Sequence, residues 1–128
     1  MMHQFRKHYT REEARALLPQ IREWLKHLTQ VRKWLEDCDA KVHALLKDGA
    51  DVGGDLASNW VKLVAEFQKL MTEFREREIQ IKDLDRGLID FPAILGGREV
   101  FLCWEQDEED IEFWHELGTG YAGRERLQ

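Results

Sequence analysis

From Thr10 onward the apolar residues recur at steps of three and four: Ala14, Leu17, Ile21, Trp24, Leu28, Val31, Leu35, Cys38, Val42 and Leu45. A stripe of that period follows one side of an α-helix, so the spacing predicts one long helix over residues 10–48, with a seam of the coiled-coil type. Thr10 followed by Glu13 supplies its start, the hydroxyl taking an orphan amide of the first turn while the glutamate reaches back. Gly49 supplies its stop. Pro19 lies inside the stripe, where it lacks an N–H and crowds the carbonyl four residues earlier, so a kink is expected near Pro19 with the stripe continuing in phase. The connector 49–55, GADVGGD, lets the chain reverse. A second helix over 56–78 carries Trp60, Leu63, Phe67, Leu70 and Phe74 on one face and a ladder of Lys62, Glu66, Lys69, Glu73 and Arg77 on another. The short connector makes the pair an antiparallel hairpin.

At Ile79 and Ile81 the period changes to two, and residues 79–117 read as a small antiparallel β-meander cut by turns at Asp85-Arg86-Gly87, Gly96-Gly97 and Asp107–Asp110. Its best strands are Leu88–Pro92, Arg98–Trp104 and Ile111–His115. In the middle one, Val100, Leu102 and Trp104 face one way and Phe101 and Cys103 the other. Both faces are apolar, so the sheet needs two covers, and a second subunit is one candidate. Residues 1–9 are expected to add an edge strand, and 118–128 form a Gly-rich tail. The fold class is therefore α+β, in a single domain spanning 1–128.

Composition narrows the function. At 128 residues and 43% hydrophobic content the chain has the size of one ordinary domain, and its net charge of −6 repels phosphate backbones, which argues against nucleic acid. Charge is divided along the chain: residues 1–50 carry ten Lys or Arg against seven acids, whereas Glu99–Gly123 carries eight acids and no Lys or Arg. The basic first helix should attract the acidic sheet end. Cys38 and Cys103 sit among apolar neighbours, as thiols of a reducing compartment do, and the N-terminus has no apolar stretch of a secretory signal. No run approaches eighteen apolar residues, so no membrane partner is expected and the location reads as cytoplasmic.

Tyr9-Thr10, Glu12-Glu13-Ala14, Leu17-Leu18-Pro19, Lys82-Asp83-Leu84, Gly87 to Pro92, Gly97 to Val100, Leu102-Cys103-Trp104, Trp114-His115-Glu116 and Gly120 to Arg124 together resemble a prokaryotic family known as domain of unknown function 2203. The resemblance covers nearly the whole chain and implies no activity. The chain departs from the family pattern at Gly118, where an aspartate is usual, and at Glu125-Arg126, where Gln-Pro is usual.

Candidate chemistry gathers toward the C-terminal end. Asp83, Asp90, Cys103 and His115 are metal-ligand types that strands could draw together, and Arg98, Glu116 and Arg124 are candidates for contacting a small ligand. Strand alternation puts His115 and Glu116 on opposite faces, so they would not ligate one ion together. Gly118 to Gly123 spells GxGxxG, but with only five residues after it no helix can begin, and the string reads as a structural turn. Among the tryptophans, Trp24 and Trp60 fall on helical seams and read as core, leaving Trp104 and Trp114 free for a partner.

No serine or cysteine nucleophile comes with a recognisable base, no catalytic residue is assigned and no cofactor is implied. The reading is an oligomeric protein-interaction or structural module rather than an enzyme, the alternative being a small-ligand or metal-binding site, hydrolytic or not, at the C-terminal sheet edge. Leu18, Leu25, Leu46, Val64 and Met71 broaden the helical stripes beyond a two-helix seam, which implies a homodimer; an unidentified protein partner is also expected.

Overall fold

A computed structural model describes residues 3–49 and 53–128. The architecture is α+β: two long helices joined by a short turn and followed by an antiparallel sheet. Helix α1 runs Arg11–Lys47 and continues through Pro19; α2 runs Gly54–Glu76. Among the described residues the sheet has five strands in sequential order: β1 (Gln80–Asp83), β2 (Leu88–Leu95), β3 (Arg98–Glu105), β4 (Phe113–Glu116) and β5 (Glu125–Arg126). The tail is thus more than a turn. A single 3-10 turn at Tyr121–Gly123 returns it to pair as β5 along β4. Residues 50–52 of the expected connector lie outside the described residues. No described helix is long and apolar enough to cross a membrane.

The chain divides into two compact units, Met1–Leu25 with Glu73–Gln128, and Lys26–Thr72. In the second unit the two helices run antiparallel, as the contacts His27 to Glu66 and Trp60 to Asp39 require. Trp60 is not core: it is 40% exposed and donates its indole N–H to Asp39.

In the first unit the capping box forms as the sequence implies, with the Glu13 amide on Thr10 Oγ1 at 3.1 Å and the Thr10 amide on Glu13 Oε1 at 2.9 Å. Here the buried positions of α1 are Ala14, Leu18, Ile21 and Leu25, while Leu17 and Trp24 are half-buried. A helix covering a sheet buries a broader stripe than one helix of a coiled coil does, which moves the stripe's centre. Leu18 and Leu25 are therefore core residues and cannot serve as surplus surface for a dimer. The opposing sheet face supplies Ile89, Phe91, Ala93, Val100, Leu102 and Trp104, all buried. Trp104, read from the sequence as free for a partner, is fully buried with its indole N–H on the Glu108 carbonyl at 2.9 Å. Basic helix and acidic rim do meet: Arg15 donates to both Asp110 carboxylate oxygens, and Arg22 donates to the carbonyls of Gln106 and Glu108.

Of residues 1–9, expected as an edge strand, 1 and 2 lie outside the described residues and 3–9 are irregular. Amides of 3–9 bond to carboxylates instead of to a strand ladder: Gln4 and Phe5 donate to Glu99, and Arg6 and Lys7 donate to Glu78. The Tyr9 amide then takes the Pro92 carbonyl at 2.7 Å, on the stretch of β2 that the shorter β1 leaves uncovered. Glu78 holds its position by an unusual helix end. The Ile79 amide bonds to the Phe74 carbonyl and the Glu78 amide to that of Arg75, a Schellman pair with Glu78 at φ 59, where glycine is the usual occupant.

The second sheet face, suspected of needing another subunit, is covered by the chain itself. The Phe5 ring packs on Phe101 with centroids 5.4 Å apart, and Arg124 in the tail lies over Phe113 at 3.8 Å.

Candidate metal centre

Strand register decides which candidates meet. Asp90 on β2 is the cross-strand partner of Cys103 on β3, and His115 on β4 is paired with Phe101, two residues from Cys103. Residues two apart share a face, so all three side chains project from the same side of the sheet. Their ligand atoms lie within 4.8 Å of one another, and all three residues are buried. Asp83 is elsewhere, accepting the Arg86 amide in the β1–β2 turn at 3.2 Å. Glu116 faces away from His115 and pairs with Arg98 at 2.8 Å on an exposed edge, so neither of these ligand candidates belongs to the cluster. Arg124 does reach it.

Both ring nitrogens of His115 point at oxygen: Nδ1 lies 2.7 Å from the Glu116 carbonyl and Nε2 lies 3.0 Å from Asp90 Oδ2. A carbonyl only accepts, so Nδ1 carries a proton, and the Nε2–Asp90 contact is held by one further proton or by a cation in its place. Asp90 Oδ1 is buried without a hydrogen-bond partner of sound geometry, although the Cys103 thiol is close enough to interact with the carboxyl. Burial raises the Asp90 pKa, and the neighbouring His115 only partly offsets this. Burial, with the Asp90 charge, pushes the Cys103 thiol up to about 12. Such a thiol is no nucleophile at neutral pH.

The tail closes the cluster. Arg124 makes a two-pronged pair with the Glu108 carboxylate and directs Nη1 toward Cys103 Sγ at 3.9 Å. Two guanidinium groups lie against the Tyr121 ring, with the carbons of Arg86 and Arg124 4.3 and 4.2 Å from the ring centre. Gly123 has no room for a side chain, since a Cβ there would come within 2.7 Å of Thr119 Cβ. That close approach, rather than any phosphate cradle, accounts for the last glycine of the GxGxxG string.

The sequence matches the family model described as an uncharacterized conserved protein, DUF2203, over residues 7–127. The chain belongs to the DUF2203 family. No curated protein and no solved structure matches it. Within this DUF2203 chain, Asp90 and His115 form part of the wall of a pocket of about 300 Å³, completed by Lys82, Leu88, Leu117, Gly118, Thr119, Gly120 and Tyr121. Lys82 and Thr119 were not among the metal or ligand candidates read from the sequence. Lys82 follows a period-two run like any strand lysine, and Thr119 is set at the pocket by the turn directly after β4, where its amide bonds to the Glu116 carbonyl at 3.2 Å.

Proposed function

We propose that this protein binds a divalent transition-metal ion through Asp90, Cys103 and His115 and seats a small ligand in the adjoining pocket. The observation that carries this reading is the buried three-donor cluster with the orphaned Asp90 Oδ1. Carboxylate oxygen, thiolate sulfur and imidazole nitrogen together suit zinc, whose bonds to such donors are about 2.0 to 2.3 Å, so a small inward shift lets the three share one ion. Charge supports it as well, because one carboxylate and one thiolate balance a 2+ ion and leave the buried site neutral. The cation reverses the local acid–base chemistry, stabilising a thiolate that burial alone disfavours. Around the donors, the Glu116 carbonyl orients the imidazole and Arg124 offers an N–H toward the sulfur, its own charge offset by Glu108. Three protein ligands leave a fourth position for water or a ligand, as catalytic zinc sites do. Elemental analysis of tag-free protein should find about one transition-metal ion per chain, lost in His115→Ala. Metal-free protein whose melting is unaffected by a chelator would overturn the reading.

A second reading, an assembly role, rests on the helical unit alone. Trp34, Leu46, Trp60 and Val61 are large apolar residues left exposed there, and Trp34 also borders a groove with Cys38, Leu56 and Leu63. Burying them against a second copy would give a homodimer. Light scattering should then return twice the chain mass at tens of micromolar and one chain mass for Val61→Asp; a wild-type monomer at that concentration refutes it.

A further inference from the structure

A second donor cluster lies where the start of the chain crosses β3. His3, His8 and Glu99 bring one ligand atom each within 4.8 Å of one another. His8 Nε2 is 2.7 Å from Glu99 Oε2, and the His3 ring meets the His8 ring edge-on with centroids 5.1 Å apart. A lone histidine–glutamate contact is ordinary surface chemistry. Here a second imidazole is within reach, and the carboxylate is fixed by two backbone amides, Gln4 on Oε1 at 2.7 Å and Phe5 on Oε2 at 2.9 Å. Ligating carboxylates are commonly oriented by such outer hydrogen bonds.

We propose that His3, His8 and Glu99 bind a divalent late first-row cation, cross-linking the start of the chain to β3. Two imidazoles and one carboxylate suit zinc, nickel or copper; calcium and magnesium favour all-oxygen shells. The cation would replace the proton now shared by His8 and Glu99, and water would complete its shell on the open side, where His3 is exposed. Being open, the site should exchange its ion readily. Its position gives binding a structural consequence. Phe5, which follows directly, packs on Phe101, and Phe101 lies 5.5 Å from the His115 ring, so an ion here steadies the cover over that sheet face.

The test uses tag-free, full-length protein titrated with zinc and followed by calorimetry and by the NMR signals of the histidine rings. The proposal expects zinc to shift the His3 and His8 rings together, and expects His3→Ala and His8→Ala each to weaken that binding by about tenfold or more while the circular dichroism stays native. Unchanged zinc affinity in His8→Ala, or His3 and His8 rings unmoved by millimolar zinc, would overturn it. The outcome is separable from that of the buried centre. Cobalt at this cluster has no sulfur ligand and gives no thiolate charge-transfer band, and zinc shifts at His3 and His8 should persist in Cys103→Ser.

Discussion

His115 Nε2 lies 3.0 Å from Asp90 Oδ2 in the interior of the sheet, with both side chains only 2% exposed. A buried pair of this kind stabilises little by itself, but removing one partner strands the other. His115→Ala should therefore cost about 3 to 5 kcal/mol in urea denaturation, leaving an unpaired carboxyl in the core. Adding Asp90→Leu to that variant should recover part of the loss. Strictly additive destabilisation in the double variant would show that the two side chains are not coupled.

Glu78 predicts a separation of local from global stability. It occupies a left-handed backbone conformation that costs a residue with a side chain about 1 to 2 kcal/mol, and its carboxylate holds the Arg6 and Lys7 amides. Glu78→Gly relieves the first and removes the second. Hydrogen exchange should show those two amides losing protection with little change in melting temperature; retained protection would mean that the segment is held by something else.

Glu99 gives a pH dependence with a definite sign. Burial alone would raise its pKa, but the His8 ring and the Phe5 and Gln4 amides outweigh burial and bring it down to about 2 from 4.5. An acid whose pKa is lower in the folded state stabilises that state above its unfolded value, and the contribution disappears as protonation sets in. Protection of the Gln4 and Phe5 amides should thus persist at pH 5 and fall away between about 4.5 and 2. Glu99→Gln should remove this pH dependence. Protection that vanishes well above pH 4.5 would contradict it.

Gly118 borders the pocket, and a Cβ built there meets nothing within 4 Å. Gly118→Asp should fold normally and place a further carboxylate beside the open coordination position. Calorimetric zinc affinity at the Asp90 centre should rise; weaker binding with an intact fold would argue that the ion does not face this wall.

How much of this was legible beforehand follows the range of each interaction. The Thr10–Glu13 cap and the first helix depend on residues a few positions apart, and their pattern stands in the sequence. The irregular course of residues 3–9 does not, because its amides are met by Glu78 and Glu99, some seventy to ninety-five positions away. Asp83 and Asp90 look alike as ligand candidates until β2–β3 register sets Asp90 opposite Cys103 and leaves Asp83 in a turn. Trp104 and Trp60 were exchanged in role for a similar reason. A helical seam favours burial of an indole, but the broad face under α1 buries Trp104 completely, while Trp60 sits at the margin of a two-helix contact.

The buried centre is tested most directly by cobalt substitution. With Co²⁺ added to metal-free protein, a thiolate-to-metal charge-transfer band should develop in the near ultraviolet along with visible bands of a four-coordinate ion. Cys103→Ser should abolish the former, and His8→Ala should leave it intact. A cobalt spectrum without any thiolate band in the wild-type protein would contradict a metal centre built on Asp90, Cys103 and His115.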